Sequence, residues 1–186
     1  MTEQTFNEVK FKELLVYIAK ASEGDPRFGA IKLNKILYYS DFAAHRLNGR
    51  SITGAKYKNL PEGPGPTALL PMRAKLVEES AIRITKRSYF GGVQDTIEPL
   101  RPADQTVFNV GRAELMIVDE VIKWLWDKNG REVSDLSHKE PGWLLTEPGE
   151  IIPYRTAWLS SEPLTEEQIE LGKVVAQRHG LARKSA

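Results

Sequence analysis

Three prolines in six residues, in the stretch PEGPGP at Pro61–Pro66, constrain this chain more than any other feature. Proline fixes φ and carries no amide donor, so this stretch can be neither a helix nor a central strand. Ser51–Pro66 therefore reads as an irregular connection, with regular structure on either side of it. Gly63 and Gly65 offer the start of a Gly-x-Gly turn, but Pro64 and Pro66 delete the amides that a phosphate cradle needs. The glycines and prolines serve backbone shape.

Before the loop the pattern is helical. Phe11, Leu14, Leu15 and Ile18 fall on one face of a first helix, which Gly24, Asp25 and Pro26 end. A second helix spans about 29–48, with Leu33, Ile36, Leu37, Ala44 and Leu47 as its main apolar stripe. At about 100° per residue, Ile31, Lys35, Tyr38, Tyr39, Asp41, Phe42, His45 and Arg46 share the opposite half. Such a mixed aromatic and charged half can pack against a second layer or meet another protein, and packing is the favoured reading.

After the loop, Pro66 suits the first turn of a helix over about 67–80. Alternating runs around Gly91-Gly92 predict a β-hairpin over Ala81–Leu100. A long helix is expected over about 104–129, with Gly130 as its stop and Trp126 at the border of its apolar face. A short helix near 131–137 leads into a proline-punctuated segment, 140–163, whose aromatics suggest an ordered strap across the helices. Thr165 and Gln168 form a capping box for a last helix over about 166–179, closed by Gly180. The expectation is one α+β domain over 1–186, a predominantly helical core with a small antiparallel hairpin or sheet. Its core would span about 6–160, followed by the helix at 166–179 and a frayed tail at 180–186.

Several kinds of chemistry are hard to build from this sequence. No cysteine is present, which removes disulfides, Cys-ligated metals and thiol nucleophiles together. Twenty-six basic against 25 acidic side chains give a formal net charge of +1, without the basic excess of a nucleic-acid binder. No signal peptide and no membrane-length apolar run are apparent, so a cytoplasmic protein is expected. Asp41 and His45 have an i, i+4 spacing that can chelate, but the His-Glu-x-x-His pattern is missing. Ser137 adjoins His138 in LSHKEPGW, yet sequence neighbours point different ways, and no Gly-x-Ser-x-Gly elbow accompanies them. No catalytic residue, metal or cofactor is predicted.

Three stretches together resemble the Panacea domain, the family that includes SocA-type antitoxins of bacterial and phage toxin–antitoxin systems. They are KLNKILYYSDFAAHRLNGRSITG at Lys32–Gly54, Tyr57 with EGPGP at Glu62–Pro66, and LSHKEPGW at Leu136–Trp143 followed by PGEIIPYRTAWL at Pro148–Leu159. The residues that carry the likeness include Lys32, Leu33, Tyr38, Gly49, Gly63, Ser137, Pro153 and Tyr154. It spans about 32–158. Members often carry an N-terminal DNA-binding segment; this sequence starts almost directly with the domain, so none is expected.

The resemblance implies an antitoxin-type protein that neutralises a cognate protein toxin by direct contact. The alternative is a proteolytic adaptor that hands a partner to a protease; a hydrolase or metal enzyme using Asp41, His45 or His138 is a more distant third. Candidate partner contacts are Tyr57, Pro64, Trp126, His138 and Trp143. For Tyr57, Pro64, His138 and Trp143 two roles stay open: they fix the strap and the Gly-Pro loop, or the two loops form the rim of a binding surface.

Overall fold

A computed structural model gives the fold and describes residues 4–89, 92–108, 113–160, 162 and 165–178. Helix α1 spans Glu8–Ala21, α2 Ala30–Asn48 and α3 Leu69–Glu78; strands β1 (Tyr57–Lys58) and β2 (Gly65–Pro66) lie between α2 and α3. The hairpin β3 (Ile82–Tyr89) and β4 (Gly92–Pro99) follows, then a 3₁₀ turn at Gln105–Val107 and helix α4 at Ala113–Leu125. Helices α5 (Gly130–Ser137) and α6 (Pro141–Leu144), strand β5 (Ile151–Ile152), a second 3₁₀ turn at Tyr154–Trp158 and helix α7 (Glu166–Arg178) complete the order. The architecture is α+β and helix-dominated, as the sequence predicts.

Helix α2 is the centre of the molecule. It packs against α1, α4, α5 and the second 3₁₀ turn. Leu33, Ile36, Leu37 and Ala44 are buried on one side, and Lys35, Tyr38, Asp41 and Phe42 on the other. The mixed half thus packs, except for exposed Arg46. Leu47 departs from the predicted stripe: it is 70% exposed, because the last turn of α2 runs past the core. Gly49 ends the helix in the left-handed region (φ 71°), its N–H returning to His45 O at 2.8 Å. Lys32 pairs with Asp25, both buried, which ties the start of α2 to the turn before it.

The predicted long helix is shorter. Asp104 accepts from Thr106 N (2.9 Å) and caps only the 3₁₀ turn. At the other end Asp127 takes the left-handed conformation (φ 61°) after Leu125, a conformation that short Asp side chains tolerate. Gly130 is the first residue of α5 rather than a stop. Asn129 and Glu132 form the capping box that starts α5: Glu132 N donates to Asn129 Oδ1 (3.0 Å) and Asn129 N to Glu132 Oε2 (2.6 Å).

The hairpin forms as expected, with Ile82 opposite Pro99 and Tyr89 opposite Gly92. A second sheet was not foreseen. It has the order β2-β1-β5, antiparallel throughout, with Tyr57 between Pro66 and Ile152. Pro66 accordingly closes β2 instead of opening α3. Pro71 occupies the first turn of α3, where helix N–H groups have no intrahelical acceptor. The Thr165–Gln168 capping box forms, with Thr165 N to Gln168 Oε1 at 2.9 Å and Gln168 N to Thr165 Oγ1 at 3.2 Å. Every described side chain of α7 is exposed. The predicted frayed tail, 180–186, and the closing residues of that helix lie outside the described residues.

Candidate partner-binding site

Prolines leave the loop at 60–66 poor in N–H donors, so beyond the bond from Gly63 N to Leu60 O (2.8 Å) its carbonyls look to donors from elsewhere. Four side chains do this. Trp143 Nε1 donates to Leu60 O at 3.1 Å, His138 Nε2 to Pro61 O at 3.0 Å, Ser134 Oγ to Glu62 O at 2.7 Å and Lys35 Nζ to Pro64 O at 3.1 Å. Ser134 lies in α5, His138 caps it, Trp143 lies in α6, and Lys35 comes from α2. The rings of His138 and Trp143 also stack, with centroids 4.3 Å apart. Asn59 Nδ2 adds bonds to Trp143 O (2.9 Å) and Thr146 O (2.8 Å), fastening the start of the strap.

Gly63 fits this arrangement for two reasons. Its φ is 87°, and a Cβ there would lie 2.1 Å from Ser137 Oγ and 2.9 Å from Lys35 Nζ. Ser137 is fully buried and donates to Ser134 O (2.8 Å). Ser137 and His138 therefore face separate acceptors and do not form a nucleophile–base pair. Burial pushes the Lys35 ammonium down to about 8, against a partial upward pull from Glu62.

Behind the loop lies a polar cluster around Asp41, which has no exposed surface. Its carboxylate accepts from Thr53 N (2.9 Å), Thr53 Oγ1 and Tyr57 OH (2.8 Å). Tyr154 OH donates to Ala55 O (2.7 Å), with Asp41 Oδ2 at 3.3 Å. Burial holds the Asp41 carboxyl above its ordinary range, opposed by the Thr53 and Tyr57 donors. His45, one turn on, stacks on Tyr154 and Trp158 at 5.2 and 4.7 Å instead of meeting Asp41. Among the described residues no group of three or more His, Asp or Glu could hold a metal ion.

On the outer side of the loop is a groove of about 690 Å³. Pro26, Arg27 and Gly29 from the α1–α2 turn form one wall, and Pro61 and Glu62 another. Arg131, Ser134 and Asp135 of α5, with its caps Asn129 and His138, form the third. The α1–α2 and α4–α5 turns are joined by Arg27, whose guanidinium donates to Asp127 O at 2.7 Å.

The five predicted contacts are placed unequally. Tyr57 is 1% exposed and Pro64 is buried, so they offer no surface and serve to hold β1 and the loop. His138 lines the groove, Trp143 stacks behind it, and Trp126, 37% exposed, sits in the turn that Arg27 grips. Of the motif residues, Lys32, Leu33, Tyr38, Gly63 and Ser137 are buried, whereas Pro153 and Tyr154 are half-buried. Sequence reasoning missed Lys35 and Ser134 as holders of the loop and Arg27 and Arg131 as groove residues. Helical periodicity placed Lys35 on the correct face, but nothing in it distinguishes a buried lysine from a solvated one.

No helix among the described residues is long and apolar enough to cross a membrane. No curated protein matches the sequence. The family model described as antitoxin SocA-like, Panacea domain, matches residues 33–144, from α2 through α6, and with well over half its length inside that match the chain belongs to this family.

Proposed function

We propose that this chain is a non-enzymatic antitoxin that neutralises a cognate protein toxin by binding it directly across the groove between the α1–α2 turn, the 60–66 loop and α5. The family supports an antitoxin-type role. The observation that carries the direct-contact reading is the four-point capture of the loop carbonyls, which turns a proline-rich connection into a rigid groove wall. A preformed wall lowers the ordering cost of association. Arg27, Arg131 and His138 line it, the His138 ring rests on Trp143, and arginine and aromatic side chains are the types that dominate interface energetics.

Co-expression with the product of the adjacent gene tests this. Relief of toxicity and a copurified complex are expected, and Arg131→Glu should weaken the complex by about tenfold or more without lowering thermal stability. Lys86→Glu on the hairpin, away from the groove, should leave binding unchanged. Toxicity that persists, or a complex indifferent to Arg131→Glu, would remove the proposal.

A further inference from the structure

Among the four side chains that hold the loop, Lys35 stands apart. It is 1% exposed, yet its ammonium has one acceptor among the described residues, Pro64 O at 3.1 Å. An ammonium carries three donors, and burying it under-bonded is costly. Lys32, one turn back on α2, is closed off by Asp25, whereas among the described residues no carboxylate forms an ion pair with Lys35. A site that needed only filling would be served better by Met or Leu.

Resting on the toxin-binding reading above, we propose that Lys35 is a positioning residue for the groove: its ammonium, through the Pro64 carbonyl, keeps the loop in the arrangement the partner recognises, so that partner binding depends on the proton at Nζ. The linkage is short. Pro61 and Glu62 line the groove, Lys35 holds Pro64, and Gly63 between them is closed in by Lys35 Nζ and Ser137 Oγ. Prolines at both ends stiffen the segment, so a shift at Pro64 reaches the wall.

A charge-assisted bond is roughly twice as strong as a neutral one, so deprotonation weakens the hold without abolishing it. Burial brings that deprotonation down to about pH 8. Among the described residues, the charged group that acts on Lys35 is Glu62 on the loop; Lys32, on the same helix, is occupied by Asp25, and His138, next to Ser137, by Pro61 O. Ser137 itself contributes only a hydroxyl.

The Trp143 indole N–H, bonded to Leu60 O, is a built-in reporter of the loop that requires no partner. In the full chain its ¹⁵N–¹H resonance, assigned by Trp143→Phe, should titrate with a midpoint near 8 and lose that step in Lys35→Met. Affinity for the adjacent-gene toxin should fall about three- to tenfold from neutral pH to one unit above the Lys35 midpoint. In Lys35→Met, affinity should start lower by a similar factor and stay flat across the same range. An indole without a transition between about pH 7 and 9.5 overturns the proposal in the wild-type protein alone, whether or not the variant folds. A titrating indole with Lys35→Met binding as tightly as wild type overturns the positioning role. If no form binds the toxin, the toxin-binding reading fails and this inference with it, while the indole titration still decides whether Lys35 holds the loop.

Discussion

Gly63→Ala is the sharpest probe of how the loop is seated. Two separate costs arise. The backbone at φ 87° lies where an L side chain is strained, at about 1–2 kcal/mol. The new methyl would also stand 2.1 Å from Ser137 Oγ and 2.9 Å from Lys35 Nζ, an overlap that a well-packed site relieves for about 1–3 kcal/mol. The sum is a loss of roughly 2–5 kcal/mol. Ser137→Ala alone removes the bond to Ser134 O, worth about 0.5–1.5 kcal/mol. That carbonyl keeps the His138 N–H at 2.9 Å, so nothing is left unpaired. In the double variant the Oγ overlap is gone, while the backbone strain, the lost bond and the close approach to Lys35 Nζ remain. Urea unfolding of the four proteins in a double-mutant cycle should therefore show a favourable coupling of about 1–2 kcal/mol. Costs that simply add, within about 0.5 kcal/mol, would mean that Ser137 does not abut Gly63.

The buried Asp25–Lys32 pair gives a second expectation: Asp25→Ala strands an ammonium and should cost about 3–5 kcal/mol, while Asp25→Ala with Lys32→Met should recover much of it in the same unfolding assay. The two buried titrating groups predict opposite pH trends. Because folding holds the Lys35 ammonium at about 8, below its ordinary 10.5, its contribution to stability is lost as pH falls through the folded value and is complete only above the unfolded one. Wild type should accordingly gain roughly 2–4 kcal/mol relative to Lys35→Met between those values. For Asp41 the folded value is raised, so its contribution is present below the unfolded value and lost as pH rises through the folded one. Wild type should then gain on Asp41→Asn as the pH falls from neutrality toward 4, and unfolding midpoints of the two proteins that run parallel would refute that sign. Removing residues 161–186 should change the melting temperature little, since α7 buries none of its described side chains.

How much of this was legible in the sequence depends on where each signal resides. Side-chain periodicity announced α1, α2 and the hairpin, and the Thr165–Gln168 box announced the start of α7. The boundary at Leu125–Gly130 was misjudged because Gly130 looks like a helix stop, although Asn129 and Glu132 write a helix start around it. The β2-β1-β5 sheet was invisible, since strands of two residues have no period to detect. The site was only half legible for a related reason. His138 and Trp143 stand out as side chains, but what they bind are the carbonyls of Pro61 and Leu60, 77 and 83 residues away. A carbonyl is common to every residue, so no residue type marks it as a destination. The opening pattern of prolines gave the complementary half, a segment rich in acceptors and short of donors.

The placement of β1 also sets an order of events during synthesis. Tyr57 finds Pro66 almost at once, but its other neighbour, Ile152, is made much later, as is Tyr154 beside Asp41. Domains assemble as they leave the ribosome, at about 5–20 residues per second. Helices α1 and α2 can therefore associate early while the groove wall waits for Ser134, His138 and Trp143 to emerge. A nascent chain stalled within α4 would carry the central helix but no finished groove wall, which is complete only once Ser134, His138 and Trp143 have emerged.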